Sequence, residues 1–202
     1  ENYKMFLENS LNAKKQFGWI EVICGSMFSG KTEELIRRLR RSQFAKQKIE
    51  IFKPTLDSRY DTEMIISHDQ NQIHSTSVPA AANIRILANG CDVVGIDEAQ
   101  FFDDEIIQVC NDLANSGIRV IVAGLDMDYK GNPFGPMPGL MATAEHVTKV
   151  HAICTQTGNL ANYSYRISSN ESIVHLGEKD SYEPLSREAF FNAYHKKNNK
   201  DS

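Results

Sequence analysis

Residues 25–32 are Gly25-Ser26-Met27-Phe28-Ser29-Gly30-Lys31-Thr32, a complete match to the pattern G-x-x-x-x-G-K-[ST]. The apolar stretch before them, Trp19–Cys24, predicts a buried strand, and Lys31 to about Gln47 predicts a helix. In this setting the loop's backbone N–H groups and the positive N-terminal end of the helix converge on phosphate oxygens. The pattern assigns Lys31 to the β- and γ-phosphates and the Thr32 hydroxyl to Mg²⁺. The sequence therefore predicts a nucleoside triphosphate site, because ordinary residue usage produces such a match by accident in only about 1% of chains this long.

The length and charge of the chain exclude several classes of protein. With 202 residues, of which 41% are apolar, it can bury one full core, with room for a small appendage. The net charge is −4, so no overall basic field favours nucleic-acid binding. No apolar run approaches the ~20 residues of a membrane-spanning helix, and the N-terminus lacks the basic-then-apolar order of a secretory signal. We expect a cytoplasmic protein without nucleic-acid or membrane partners.

Cysteine usage fits the same compartment. The four cysteines are scattered through strand-like or helical patterns, at Cys24, Cys91, Cys110 and Cys154. This distribution is typical of reduced, buried thiols in a cytosolic protein.

Short apolar runs alternate with helical patterns along the chain. Further buried strands are predicted at Ile49–Pro54, Cys91–Ile96 and Ile118–Leu125. A short helix is expected from Pro79, and apolar residues within Ile106–Ala114 repeat at helical spacing. Strands separated by helices predict an α/β fold with a parallel sheet flanked by helices.

Changes in composition divide the chain into four parts. From about Thr155 a segment rich in tyrosine and serine begins, followed by a predicted strand near Ile173–Leu176 and a helix over 184–194. The expected parts are a flexible lead-in (1–17), a nucleotide-binding domain (18–150), a small second domain (151–194) and a disordered polar tail (195–202).

A second motif, Val93-Val94-Gly95-Ile96-Asp97-Glu98, is an apolar strand that ends in two acids. In proteins with a phosphate loop, the first acid after such a strand helps to hold Mg²⁺, which assigns Asp97 to the metal. Glu98 is then a candidate general base. An isolated Asp-Glu pair usually caps a helix or faces solvent, but the intact phosphate loop favours the functional interpretation.

The molecule that Glu98 would deprotonate separates two classes of enzyme. An ATPase uses such a glutamate to orient water, whereas a kinase uses it on a substrate hydroxyl. The aromatic residues Phe101, Phe102 and Phe134 lie in loops at predicted strand ends, where open α/β sheets bind ligands. Each could be an ordinary core residue, but together they favour a wall for a flat nucleobase.

A third group of polar residues occurs in Lys53-Pro54-Thr55-Leu56-Asp57-Ser58-Arg59-Tyr60, just past the second strand. Asp57 could add to the metal site, and Arg59 could neutralise charge on a transferring phosphoryl group. A surface turn with a local ion pair is the alternative, and spacing alone does not decide between them. The segments 63–68 and 72–78 beyond it favour a hairpin or flap.

The motifs GSMFSGKT, KPTLDSRY, DEAQFF, AGLDMDYKGNPFG and GEKDSYEP occur in the order and spacing of the type II thymidine kinase family, which residues 18–194 resemble. The resemblance implies a RecA-like core with a small C-terminal lasso domain that closes over the nucleoside. It implies transfer of the ATP γ-phosphate to the 5′-hydroxyl of thymidine or deoxyuridine. Homotetramers and feedback inhibition by thymidine triphosphate are usual in that family.

The resemblance also suggests site residues. Glu98 matches the base, and Arg59 matches an arginine near the phosphates. The sugar and base pocket matches Met27, Phe101, Leu125, Tyr129 and Phe134, and the lasso positions over the base match Ser164, Ile173, Val174 and Tyr182. Ser164 replaces a common threonine, a change that could loosen contact with the thymine 5-methyl group.

One departure from the family is large. Its members usually carry two C-x-x-C pairs that hold a structural zinc, whereas this chain has Cys154-Thr155-Gln156-Thr157 and Ser186-Arg187-Glu188-Ala189. One thiolate cannot make a closed tetrahedral site, and His151 and His175 are better explained as surface or packed histidines. We therefore expect no zinc. The lasso must be held by a neighbouring subunit or by packing of its aromatic residues, Tyr163, Tyr165, Phe190, Phe191 and Tyr194.

The run Arg37-Arg38-Leu39-Arg40-Arg41 has a structural interpretation. Leu35, Ile36 and Leu39 share one helix face, so most of the arginines are expected on the solvated side.

The motifs together make a thymidine kinase that uses ATP and Mg²⁺ the leading functional hypothesis. The alternatives are a P-loop ATPase or nucleotide-dependent switch module, and a kinase for another deoxynucleoside.

Overall fold

The main sheet has six strands, all parallel, in the spatial order β5-β2-β6-β7-β1-β8. The structure is a computed structural model that describes residues 17–55, 64–66, 72–167 and 181–198. The strands of this sheet are β1 (Trp19–Gly25), β2 (Ile49–Pro54), β5 (Thr76–Val78), β6 (Val93–Ile96), β7 (Arg119–Leu125) and β8 (His146–Lys149). The predicted α/β fold with a parallel sheet is confirmed.

The helices cover both faces of the sheet. They are α1 (Lys31–Phe44), α2 (Ala81–Leu87), α3 (Glu105–Asn115) and α4 (Met137–Thr143), with a 3₁₀ turn at Ala99–Phe101. One buried cluster joins α1 to the sheet through Leu35, Ile36 and Leu39. A larger cluster joins α2, α3 and α4 to the opposite face. All four residues of β6 are buried, so the strand that carries Asp97 at its end is held from both sides.

Short strands and one helix form the remaining elements. The hairpin β3–β4 (Met64–Ile66 and Gln72–His74) lies in the segment predicted as a flap. The C-terminal unit, described for residues 152–167 and 181–198, contains the antiparallel pairs β9–β10 and β11–β12 and helix α5. Their bounds are β9 (Ala152–Ile153), β10 (Leu160–Ala161), β11 (Tyr163–Arg166), β12 (Tyr182–Leu185) and α5 (Arg187–Asn198).

The helix predicted at 184 begins later. Residues 182–185 form β12, which pairs with β11, and α5 starts at Arg187. Ser186 marks the start of the helix instead, because its Oγ accepts from the Ala189 N–H at 3.4 Å and serine is a preferred N-cap residue. Helix α5 also continues beyond the predicted boundary at residue 194, to Asn198.

Arg38 is the exception to the expectation that most of the α1 arginines face solvent. Arg37 and Arg41 are exposed, but Arg38 is only 7% exposed. Its Nη1 donates to Glu21 Oε2 at 2.7 Å, and Arg119 Nε donates to Glu21 Oε1 at the same distance. Glu21 therefore joins α1, β1 and β7 through buried charges, which an amphipathic pattern alone does not reveal.

All four cysteines are buried and free, as predicted. No helix in the described ranges is both long and apolar enough to cross a membrane.

Replacement of Glu21 by alanine is expected to destabilise the fold by about 3–5 kcal/mol, the usual cost of removing one partner from a buried ion pair. The variant leaves the guanidinium groups of Arg38 and Arg119 without their shared carboxylate. Urea unfolding at neutral pH measures the loss. Glu188→Ala, on an exposed helical position, is the control and should cost less than about 1 kcal/mol. Equal losses in both variants would contradict the role given to Glu21.

The same variant should show a defined pH dependence. Burial raises the pKa of Glu21, but the hydrogen bonds and charges of Arg119 and Arg38 outweigh it and lower the pKa below its ordinary 4.5. A carboxylate with a depressed folded-state pKa contributes its stability above the unfolded pKa and loses it as pH falls through the folded value. The difference between wild type and Glu21→Ala should therefore be full above about pH 4.5 and shrink below it.

Candidate active site

The phosphate loop lies between β1 and α1, at the carboxyl edge of the parallel sheet. Gly30 adopts φ 82° and caps α1, a left-handed conformation that glycine reaches without steric cost. Ser29 Oγ and Lys31 Nζ both donate to the carbonyl oxygen of Ser26 at 2.7 Å. Burial lowers the pKa of Lys31, and the charges of nearby acids compensate only in part. The loop and the helix N-terminus together form an anion-binding concavity.

Three consecutive loop residues contact the C-terminal unit. Ser26 Oγ donates to the Ala161 carbonyl at 3.3 Å, and Met27 N–H donates to Ser164 Oγ at 2.9 Å. Phe28, at φ 63°, packs against the apolar cluster of the C-terminal unit. The phosphate loop is thus held by residues more than a hundred positions away in sequence.

Asp97 directly follows β6 and lies beside the loop. It is 6% exposed; its Oδ2 accepts from Thr32 Oγ1 at 3.3 Å and its Oδ1 from Glu98 N–H at 3.0 Å. Burial, followed by the charge of Glu98, raises the pKa of Asp97 to about 7. A threonine hydroxyl beside a carboxylate is an all-oxygen donor pair that suits Mg²⁺. Among the described residues no three His, Cys, Asp or Glu side chains group as a metal site.

Glu98 has an unusual backbone. Its φ and ψ are 53° and 39°, in the left-handed region that non-glycine residues rarely enter. Such conformations cluster at functional sites, where the surroundings enforce them. Gln100 Nε2 donates to Glu98 Oε2 at 2.5 Å. The sequence-predicted base and the phosphate loop are therefore at the same sheet edge, and the charge of Glu98 acts on Lys31.

The three aromatic residues proposed as a wall separate into two groups. Phe101 and Phe134 contact each other edge to face, with ring centroids 5.5 Å apart, and both are half-buried. Phe102 is 7% exposed and belongs to the main core. Phe101 and Phe134 thus form a partly accessible aromatic pair, and Phe102 is an ordinary core residue.

Other predicted pocket residues meet around Arg166. Its guanidinium lies 3.8 Å from the ring centroid of Tyr129, and its Nε donates to the Tyr182 hydroxyl at 3.0 Å. Arg166 is 3% exposed. It therefore joins the loop after β7 to strands β11 and β12.

Ser164 and Leu125 each form a hydrogen bond with a distant residue. Ser164 is 5% exposed, and its hydroxyl accepts the Met27 N–H. Leu125 is half-buried at the end of β7, and its N–H donates to Gln100 Oε1 at 2.9 Å. Four predicted site residues, Asp57, Arg59, Ile173 and Val174, lie outside the described residues.

Sequence reasoning gave no role to Gln100, Asp126 or Arg166. Asp126 follows β7, is 7% exposed, and has Oδ2 2.8 Å from Lys149 Nζ. Its charge also acts on Lys31. The rule that found Asp97, an acid directly after a buried strand, would have found Asp126. Gln100 lies two positions from Glu98, but its other partner, Leu125, is 25 positions away. The partners of Arg166 are also distant in sequence, so no local signal marks either residue.

The four positions that match the family's zinc ligands are Cys154, Thr157, Ser186 and Ala189. They lie close together, but their side chains do not form a set of zinc ligands. Thr157 Oγ1 donates to Ser186 Oγ at 3.4 Å, and Ser186 Oγ accepts from Ala189 N–H at 3.4 Å. Burial raises the pKa of the Cys154 thiol, but hydrogen bonds, first from Thr157 and then from backbone N–H groups, lower it to about 6. A hydroxyl and hydrogen-bond network occupies these positions, and it does not fit a tetrahedral zinc site.

A phosphate loop after β1, with an acid pair at the end of β6 and one strand between them, defines a P-loop nucleotide-binding protein. The family model described as Thymidine kinase matches residues 18–190. The chain belongs to the thymidine kinase family.

Curated relatives agree over most of the chain. A thymidine kinase of Bacteroides thetaiotaomicron is 58% identical over 189 residues, covering 94% of this chain and 95% of the relative. One from Porphyromonas gingivalis strain W83 is 56% identical, covering 91% and 90%. One from Rhodothermus sp. is 60% identical over 173 residues, covering 86% and 81%.

Proposed function

We propose that this chain is a thymidine kinase that transfers the γ-phosphate of ATP to the 5′-hydroxyl of thymidine or deoxyuridine. Its product is the nucleoside monophosphate, as in pyrimidine deoxynucleotide salvage. The observation that carries the proposal is the place of Glu98: a left-handed residue at the phosphate-loop edge, next in sequence to Asp97 and near the Phe101–Phe134 pair.

The chain's own residues account for the steps. Glu98 accepts the proton of the 5′-hydroxyl as that oxygen attacks phosphorus, the role of a general base. Lys31 and the loop N–H groups stabilise negative charge on the phosphates. Thr32 and Asp97 would hold Mg²⁺, which supplies charge neutralisation at the β- and γ-phosphate oxygens when bound. We assign Asp57 as a second acid at the metal site and Arg59 as a further cation near the phosphates; only the sequence motif supports these two roles.

The pocket for the nucleoside uses residues from both units. Phe101, Phe134 and Leu125 come from the sheet edge, and Tyr129 and Tyr182 are joined by Arg166. Met27, Ser164, Ile173 and Val174 complete the proposed set. Aromatic faces with few polar groups suit a pyrimidine ring.

Regulation, assembly and location follow the family resemblance. Thymidine triphosphate carries both the base and the triphosphate for which this site has subsites, so it is the proposed feedback inhibitor. A homotetramer and a cytoplasmic location also belong to the proposal, and the four buried free thiols support the latter. The lead-in and the two-domain division keep their predicted boundaries as part of the proposal, except that α5 carries the second domain to Asn198.

Incubation with Mg²⁺, ATP and a panel of nucleosides tests the function directly. We expect thymidine-dependent formation of thymidine monophosphate, with deoxyuridine as the second acceptor. Equal phosphate release with and without nucleoside would favour an ATPase or switch module instead. A different monophosphate as the main product would retain the kinase and change its acceptor.

Glu98→Gln should lower thymidine turnover by roughly 10²–10⁴, the usual contribution of a general base. Because the amide keeps the size of the side chain, ATP binding measured by calorimetry should be preserved. Glu105→Gln is the control, since Glu105 is exposed at the start of α3. Near-normal turnover of the Glu98 variant would remove this residue from the mechanism.

The proposal also includes a C-terminal unit without structural zinc. Its residues stack instead: the rings of Tyr163 and Phe190 are 4.4 Å apart and nearly parallel, and Phe190 also contacts Tyr165, Phe191 and Tyr194. This is the packing that the sequence predicts, and buried aromatic pairs of this kind stabilise a small unit.

Metal analysis of the purified protein should find no stoichiometric zinc, and a chelator should leave Tm unchanged. A triple variant, Thr157→Cys, Ser186→Cys and Ala189→Cys, places four thiols at the converging positions and should bind one zinc per chain, with a chelator-sensitive rise in Tm. One tightly bound zinc in the unmodified protein would contradict the prediction.

A further inference from the structure

Gln100 makes two hydrogen bonds that connect the candidate base to the neighbouring strand. It is 2% exposed. Its Oε1 accepts the Leu125 N–H at 2.9 Å, and its Nε2 donates to Glu98 Oε2 at 2.5 Å. One buried amide thus links the Glu98 carboxylate to the main chain at the end of β7.

The orientation of this amide is fixed by chemistry. A backbone N–H can only donate, so the amide oxygen of Gln100 must face Leu125 and its NH₂ group must face Glu98. A flipped amide would direct two donors at each other and two acceptors at each other. Gln100 therefore presents a donor to Glu98 at all times.

Two glycines leave room for Gln100 at this place. A Cβ built on Gly124 would lie 2.9 Å from Gln100 Oε1, and one built on Gly135 would lie 2.4 Å from the Gln100 carbonyl oxygen. The backbone of Gly124 therefore lies close to the side-chain amide oxygen of Gln100, and that of Gly135 lies close to the Gln100 main chain, so both parts of the residue are confined. A restrained donor of this kind can hold a side chain that starts from the uncommon left-handed backbone of Glu98.

We propose that Gln100 is a positioning residue that holds Glu98 for proton abstraction. Its NH₂ group occupies Oε2 and thereby directs the other carboxylate oxygen, Oε1, to the attacking hydroxyl. The inference rests on the proposed function, in which Glu98 is the base. In this arrangement the main chain at the end of β7 fixes Gln100, and Gln100 in turn orients the Glu98 carboxylate.

Gln100→Leu removes both hydrogen bonds at similar side-chain volume. We expect kcat for thymidine phosphorylation to fall roughly 10- to 100-fold, because a misplaced catalytic group is costly, while KM for thymidine and for ATP changes by no more than about threefold. Gln108→Leu is the matched control: Gln108 also donates to a carboxylate, Asp112, at 2.8 Å, but on the solvent-exposed face of α3. It should leave kcat unchanged.

A double-mutant cycle separates positioning from a general structural effect. In the Glu98→Gln background, adding Gln100→Leu should change kcat by less than about twofold, since residues that act as a unit are non-additive. The same fold-loss in both backgrounds would overturn the inference. So would an unchanged kcat for Gln100→Leu in the otherwise normal enzyme, while Glu98→Gln still fails.

A second variant keeps the test valid if Gln100→Leu does not fold. Gln100→Glu can still accept from Leu125 N–H but replaces the donor to Glu98 by an acceptor, so it should also lose kcat, and normal kcat there would overturn the inference. Full activity of Glu98→Gln alone has a different meaning: it would remove the base itself, and with it the proposed mechanism.

Discussion

The hydrogen bond from Thr32 to Asp97, 3.3 Å long, joins the two motifs on which the site depends. The residues are 65 positions apart. Thr32 lies in the first turn of α1, directly after β1 and the phosphate loop, and Asp97 directly follows β6; β7 lies between these two strands. They meet only because parallel strands end at one edge of the sheet. The sheet must therefore be rigid beneath them. Burial of β6 on both faces and the Glu21 ion pairs under α1 supply that rigidity.

The α/β fold could be predicted from the sequence because its signals are local. Apolar runs of strand length and helical repeats identified β1, β2, β6, β7 and the helices between them. Strand β8 gave no such signal: it lies at the sheet edge, and three of its four residues are exposed. The same limit explains Arg38, since a helical pattern assigns a face but does not reveal a buried acid such as Glu21 on another element.

Site residues could be predicted from the sequence only where they lie in short motifs directly after a predicted strand. Lys31, Thr32, Asp97 and Glu98 belong to short motifs, and the structure brings them together. Gln100 precedes Leu125 by 25 positions, and Arg166 lies on β11, far from Tyr129 in sequence. Neither has a spacing that indicates its partner, because the contacts arise from tertiary packing. Phe102 shows the converse: it stands beside Phe101 in sequence but points into the core.

Strand β11 contacts both the phosphate loop and the proposed nucleoside pocket. In β11, Ser164 accepts the Met27 N–H, while Arg166 stacks on Tyr129 and donates to Tyr182. Because the two residues are fixed on the same short strand, a shift that opens the pocket also moves the partner of a loop amide. The conformation of the phosphate loop is thus coupled to the unit proposed to cover the nucleoside. Hydrogen bonds and ring stacking hold that unit together, and the stack around Phe190 lies directly behind β11.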